Sequence, residues 1–253
     1  PIKSSAASDV YKRQVTQSDL ANTYSLTDGL LETSARRVTQ YVYNGDYGSN
    51  KVKFGAYYGG SSKRNIKNVD LKNNRKNTWG TGLIFNHEID SIQNVTVAAG
   101  FTRQISENAN KTAYYSNAYA LGLAYNFVHT TYGLDLAHKD TKNKGGAGNK
   151  VKNNEVTAVI RQGLNEDWNV YAMYSYKTEK TLPVGSAYSK STDRQFLVGT
   201  EYYVFKQGSV KVKPFIEWQA TRTKYENTFD KDSGKQLDRS RDFKTVIGLR
   251  AYW

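Results

Sequence analysis

The chain alternates. Over its last thirteen residues every second position from Phe243 is apolar or uncharged: Phe243, Thr245, Ile247, Leu249, Ala251 and Trp253. The intervening set, Lys244, Val246, Gly248, Arg250 and Tyr252, is mixed, small and cationic. A period of two marks a strand with two unlike faces. The same pattern recurs upstream and is clearest over Tyr115–Phe127. There Tyr115, Tyr119, Leu121, Leu123, Tyr125 and Phe127 share one face, interrupted only by Asn117. Ser116, Ala118, Ala120, Gly122, Ala124 and Asn126 share the other. Strands are predicted on the same grounds at Leu31–Asn44, Lys51–Gly60, Asn77–Asn86, Val95–Ile105, Thr131–Lys139, Asn154–Gln162, Trp168–Thr178, Asp193–Phe205 and Val210–Arg222. Pro214 lies inside the last of these, where it removes a ladder hydrogen bond and predicts a bulge.

The connections alternate as well. Short ones fall at 45–50, 87–94, 128–130, 163–167 and 206–209. Long polar ones fall at 61–76, 106–114, 140–153, 179–192 and 223–240. A soluble sandwich has no reason to sort its loops by parity, whereas a barrel in an outer membrane joins its strands by short turns on one side and long loops on the other. With the chain end placed on the short-turn side, the aromatic residues sort by height. Phe127, Tyr132, Trp168, Tyr202 and Trp253 fall near the short-turn rim, and Tyr58, Trp79, Tyr115, Tyr176 and Phe243 near the long-loop rim. Between them lie aliphatic residues such as Ala99, Leu121, Leu123, Leu134, Val170, Val198 and Ile247. Two aromatic girdles around an apolar band are the outer surface of a membrane barrel.

The expectation is therefore an all-β, antiparallel up-and-down transmembrane barrel. Eleven strands are counted from Leu31, and an even count requires another before them, within residues 15–30. Val15–Tyr24 is the candidate, followed by a turn signal at Thr27-Asp28-Gly29. That gives about twelve visible strands, or a fragment of a fourteen-stranded barrel. Residues 1–14 show no periodicity, and Ser4–Gln14 resembles translated adapter sequence. They are expected to be a non-native tail, with the barrel spanning 15–253.

Composition changes the picture little. The 253 residues include no Cys, three His (His87, His129, His138), 20 Gly and 20 Tyr. Disulfides and thiolate metal sites are excluded, and neither a metal nor a cofactor is expected. Mean hydropathy is well below zero, and no run approaches the ~18 apolar residues of a spanning helix. Barrel strands dilute their apolar face with inner residues and loops, so this does not argue for a soluble protein. Charge does matter: 36 Lys and Arg against 23 Asp and Glu give +13. Nothing interleaves basic with aromatic residues in the manner of a nucleic-acid site, so no nucleic-acid partner is expected. The loop lysines read as contacts for anionic lipopolysaccharide and for outer-membrane lipid.

The alternating terminal strand, closed by Trp253, resembles the C-terminal signal of Gram-negative outer-membrane proteins. That resemblance implies insertion by the barrel-assembly machinery, although the usual last residue is Phe. The Lys/Asn/Tyr-rich, Cys-free style loosely resembles fusobacterial major outer-membrane porins. The size and basic lumen resemble small porins for acidic oligosaccharides. The resemblance implies a bacterial outer-membrane location and a porin, with a homotrimer among its expected assemblies.

Parity assigns the inner residues. Cations expected to line the lumen are Lys51, Lys53, Arg161, Lys177, Lys211, Lys213, Lys244 and Arg250; acids are Asp135, Glu155, Glu201 and Glu217. Eight against four favours anions in a narrow water-filled pore. The expected function is passive diffusion of small hydrophilic solutes, anionic or neutral, with anions preferred. The alternative is a surface-exposed structural or adhesin-type barrel with a plugged lumen, in which these charges only pair. No catalysis is expected. A lipid-face hydrolase would resemble His-x-Ser with an Asn partner, but the residue two after His138 is Asp140. Asp135, His138 and Asp140 are near one another in sequence, as acids beside a rim histidine commonly are.

Overall fold

The protein is described by a computed structural model covering residues 30–31, 38–61, 74–107, 113–143, 150–182, 188–208, 210–228 and 235–252. These residues form one antiparallel sheet of twelve strands and no helix. In chain order the strands are β1 (Val38–Tyr47), β2 (Asn50–Gly59), β3 (Asn74–Asp90), β4 (Gln93–Glu107), β5 (Ala113–Phe127), β6 (Thr130–Asn143), β7 (Lys150–Gly163), β8 (Trp168–Leu182), β9 (Tyr188–Tyr202), β10 (Phe205–Gln207), β11 (Val210–Thr228) and β12 (Lys235–Tyr252). Each long strand pairs with its neighbours in sequence, an up-and-down order, and β10 is a short addition beside β11.

The sheet curls, with one face inside. On β5 the exposed residues Tyr119, Leu121 and Leu123 alternate with the buried Ala118, Ala120, Gly122 and Ala124. A flat two-sided sheet would expose both sets. Inner side chains also reach across an intervening strand. Tyr171 of β8 meets Glu217 of β11, and Arg161 of β7 meets Glu201 of β9. Such spans are open only to long side chains on a concave face. The expected faces hold throughout: Tyr57, Thr78, Ile84, Ala98, Thr102, Met173 and Leu197 are buried, while Tyr58, Trp79, Leu83, Tyr132, Trp168 and Trp218 are exposed. Leu31–Asn44, whose faces the sequence leaves unranked, also resolves. Tyr41 and Tyr43 stand opposite Ala56 and Phe54, on the outer face.

One hydrogen-bonded row shows how the strands tilt. From β1 to β12 it runs Tyr43, Phe54, Leu83, Ala99, Leu121, Leu136, Val156, Tyr176, Arg194, Arg222, Arg241. It enters at an aromatic near the short-turn end, crosses the aliphatic band, and leaves through a tyrosine into cations. A staggered register of this kind is what closing a sheet into a barrel requires. Among the described residues β1 and β12 have no partner on their outer sides. Exposure rises accordingly along β12, where Ile247 is 78 % exposed against 36 % for Leu121 of β5.

Several expectations need correction. The eleven long strands are the eleven that alternation predicts, but the twelfth piece is β10. The strand expected within 15–30 lies outside the described residues apart from Leu30, as does the predicted tail 1–14. The strand predicted from Leu31 begins at Val38, and Leu31 instead packs on the inner face against Ile84, Ala98 and Ala120. The connection predicted at 45–50 narrows to a turn at Gly48–Ser49, with Gly45–Tyr47 still paired to β2. Strands also run further into the predicted loops. Thr223–Thr228 pairs with Lys235–Ser240, entirely beyond the apolar band. Pro214 does not bulge its own strand, which stays in register with β12 (Pro214 opposite Leu249). The irregularity lies opposite. β9 stops at Tyr202, and the register resumes one residue later, with Phe205 opposite Val212. The break faces the position where Pro214 has no N–H to offer.

Near the β12 edge, the Phe215 ring lies over Gly248. A Cβ on Gly248 would overlap two of the ring carbons, a close approach only glycine permits. Gly248→Ala is expected to displace the ring and cost about 1–3 kcal/mol, read as a lower urea midpoint for the refolded protein.

Candidate functional site

The candidate site is the inner face, where the densest chemistry lies over β7, β8, β9 and β11. Alternation aims Glu155, Thr157, Val159 and Arg161 inward from β7, and Tyr171, Met173, Ser175 and Lys177 from β8. Gln195, Leu197 and Glu201 follow from β9, and Lys213, Glu217 and Gln219 from β11. Val159, Tyr171, Met173 and Leu197 form an apolar cluster, with Met173 1 % and Leu197 0 % exposed. Ionic groups surround it. Glu201 accepts hydrogen bonds from Arg161 and from Lys213 Nζ, the latter at 2.5 Å, and Asn169 Nδ2 lies 3.4 Å away. The Tyr171 hydroxyl donates to Glu217 Oε1 at 2.5 Å. Lys177 Nζ stands 3.5 Å from Glu155 Oε1.

Taking a carboxylate out of water costs several kcal/mol unless partners replace its hydration. Glu201, with no exposed side-chain surface, has a cation on each oxygen. Gly199 makes the neighbouring contact feasible. A Cβ there would lie 2.5 Å from the Tyr171 ring, so the ring crosses this strand only because Gly199 has no side chain.

The twelve expected lumen residues share the inner face, and five of the eight cations are engaged by carboxylates. Arg161 and Lys213 are both engaged by Glu201. Lys177 meets Glu155, Lys51 Nζ meets Glu88 Oε1 at 2.6 Å, and Lys244 Nζ meets Asp242 Oδ2 at 3.0 Å. Arg250 stands opposite Lys213, and Asp135 is buried at mid-height on β6. Lys53 and Lys211 face inward toward the short-turn end.

The expected excess of cations does not survive the longer strands. On the same face Lys139 and Lys206 add two cations, while Asp46, Glu88, Glu179, Asp193, Asp238 and Asp242 add six acids. Eight and two now face four and six. Most of the missed acids lie in stretches that read as loops. Their signal was the continued alternation of polar residues, which hydrophobic periodicity cannot detect. The charges separate along the axis. Toward the short turns, seven cations (Lys51, Lys53, Arg161, Lys206, Lys211, Lys213, Arg250) face three acids (Asp46, Glu88, Glu201). Toward the long loops, acids dominate.

The predicted interface aromatics lie on the outer face. Phe127, Tyr132 and Trp168 are exposed near the short turns, where Trp168 Nε1 donates to Thr200 Oγ1 at 2.7 Å. Tyr58 and Trp79 are cross-strand partners near the long loops. Tyr115 and Tyr176 carry guanidinium groups over their rings, Arg103 at 5.7 Å and Arg194 at 5.8 Å. Phe243 is exposed near the same rim. Trp253 lies outside the described residues.

His138 is also on the outer face. Its Nδ1 hydrogen-bonds with Asn154 Oδ1 at 2.7 Å, and Asn154 Nδ2 donates to Thr178 Oγ1 at 3.1 Å. Asp140 Oδ2 lies 3.3 Å from His138 Nε2, and Lys150 Nζ lies 3.5 Å from Asp140 Oδ1. The structure thus brings His138 and Asn154 together, but puts a carboxylate where hydrolysis needs a nucleophilic hydroxyl. Asp135, two strand positions below Ala137, points inward and away from them. Among the described residues no cluster of His, Cys, Asp and Glu could hold a metal ion.

No protein-family model matches the chain, and no curated protein is significantly similar to it.

Breaking a buried ion pair from one side leaves its partner uncompensated. Glu201→Gln strands Arg161 and Lys213 together and is expected to cost about 3 kcal/mol. An unchanged denaturation midpoint would show that water, not Glu201, solvates these cations.

Proposed function

We propose that the chain is an outer-membrane β-barrel that passes small hydrophilic solutes. One observation carries this reading: the two faces are inverted relative to a soluble protein. Carboxylates and ammonium groups are buried inside, while Leu121, Leu123, Leu136, Ile160, Ile216 and Trp218 stand exposed in a band between aromatic residues. Exposed apolar patches of that extent on a water-soluble protein would drive aggregation. Hydrocarbon would cover them at no cost, and the polar interior would then be the aqueous side. The long loops would face outward from the cell and the short turns the periplasm. Insertion through the assembly machinery, lipopolysaccharide contacts and a trimeric state belong to the same proposal.

Anion preference would arise at one mouth. The inner face as a whole is close to balanced in charge, but its short-turn third holds seven cations to three acids. A vestibule of that sign concentrates anions before the constriction. A closed barrel is the second reading. Met173, Leu197, Glu201 and Glu217 are almost fully buried, and Leu31 covers part of the inner face over β3–β5, as a plugged lumen would require.

Planar-bilayer recordings separate the two. The channel reading expects discrete conductance steps and an anion-selective reversal potential in a salt gradient. The paired substitution Lys53→Glu with Lys211→Glu should move that potential toward cations. A silent bilayer with protein demonstrably inserted would favour the plugged barrel. The membrane location has its own check. Leu123→Arg should weaken folding into lipid vesicles by about 2–4 kcal/mol, where the same change on a water-exposed surface falls within about 0.5 kcal/mol.

A further inference from the structure

Arg194, Arg222 and Arg241 form one cross-strand row on the outer face. Arg222 of β11 stands directly opposite Arg194 of β9 on one side and Arg241 of β12 on the other. Like charges directly opposite one another destabilise a sheet, and neighbouring strands are only about 4.8 Å apart. All three residues are exposed. The Arg194 guanidinium is steadied over the Tyr176 ring, while Arg222 and Arg241 have no carboxylate partner among the described residues. The next outward row toward the loops adds Lys224 and Arg239, facing each other. The acid on this patch, Glu226, is engaged by Lys224.

The row toward the middle of the sheet is apolar. Ala220 stands between Phe196 and Phe243. Trp218 lies just below, its ring 6.4 Å from Phe196 and 6.2 Å from Phe243. Ile216, Ile247 and Leu249 continue downward, all exposed. The patch is thus a cationic edge above an aromatic and aliphatic wall, at the level where the tilted row leaves the apolar band.

We infer that this patch is a docking site for the phosphate of an outer-leaflet lipid. The phosphate would lie across Arg222 and Arg241, and the acyl chains would run down over Phe243, Trp218 and Ile247. Guanidinium groups take phosphate oxygens in paired hydrogen bonds. A shared anion removes the repulsion that the row otherwise imposes. The occupant is a lipid rather than free phosphate, because the apolar wall continues the site where only acyl chains would follow. The inference rests on the membrane location proposed above.

Trp218 sits inside the patch and can report on it. The protein, with Trp79, Trp168 and Trp253 changed to Phe, is refolded into phosphatidylcholine vesicles. These carry, at equal mole fraction, either phosphatidate or phosphatidylcholine with brominated acyl chains. Should the triple substitution prevent folding, the unmodified protein is compared with Trp218→Phe, and the difference gives the same signal. Brominated phosphatidate is expected to quench Trp218 more strongly. Arg222→Gln with Arg241→Gln should reduce that preference about five-fold or more. The pair Lys142→Gln with Lys152→Gln, on other strands, should leave it intact. Equal quenching by both lipids overturns the site and leaves the membrane location standing. A preference lost equally in both double variants overturns it too, as the mark of diffuse surface charge. Quenching by neither lipid overturns the membrane location and this site with it.

Discussion

Every part of this fold depends on an unbroken backbone ladder. A peptide N–H or C=O left unpaired in an apolar medium costs several kcal/mol, and among the described residues every strand from β2 to β9, and β11, is held between two others. With the ladder fixed, the only freedom left to a residue is which way it points. Parity decides that, and a slip of one residue would reverse it for a whole strand. The observed register tolerates irregularity only near strand ends: at Arg75/Asn77, at Glu88/Asp90, and at the β9–β10 break opposite Pro214. No irregularity falls within the apolar band, where a reversal would turn Glu201 or Glu217 outward and Leu121 or Ile216 inward.

Fixed parity explains how so many charges can be buried in so basic a chain. The inner face answers three of its deep carboxylates with a cation or a hydroxyl. Arg161 and Lys213 serve Glu201, Lys177 serves Glu155, and Tyr171 serves Glu217. Tyr171 reaches Glu217 by crossing the intervening strand at Gly199, so the ionic and apolar parts of the interior are one packing problem. The cations in excess over this arrangement gather elsewhere: at the short-turn mouth on the inside, and at the long-loop edge on the outside.

The legible part of the fold was the part with contrast. Tyr115–Phe127 alternates bulky with small residues so strictly that both its span and its faces were readable. The same logic ordered eleven strands and put the twelve charges it singled out on one face of the sheet. It failed where contrast vanished. Beyond the apolar band both faces are polar, so the ladder from Thr223 to Thr228 carries no hydrophobic period although it is fully paired. Glu179 and Asp238 were consequently read as loop residues, Asp193 and Asp242 at the strand ends were left out of the inner set, and the inner charge balance came out too positive. Ion pairing was not legible either. Nothing in local sequence links Arg161 to Glu201, forty positions away, because the link depends on a register set by two intervening hairpins. Leu31 was misassigned for the opposite reason: an apolar residue ahead of a strand invites extension of the pattern, whereas here it packs against the inner face.

The strand tilt ties the two surfaces together. With untilted strands, a hydrogen-bonded row would keep one chemistry across the whole sheet. Here a single row passes from Tyr43 through Phe54, five aliphatic residues and Tyr176 to the arginines ending at Arg241, so register neighbours differ in height. The outer girdle is therefore assembled from different rows on different strands: Tyr58 and Trp79 from one, Tyr176 and Arg194 from another. The three arginines fall on the first three strands where their row has left the apolar band. A sheet gains nothing from facing guanidinium groups, and the neighbouring row offers them no acid beyond one already engaged. With the membrane location proposed above, an anion outside the chain, where headgroup phosphates would meet the tops of acyl chains, would relieve that repulsion.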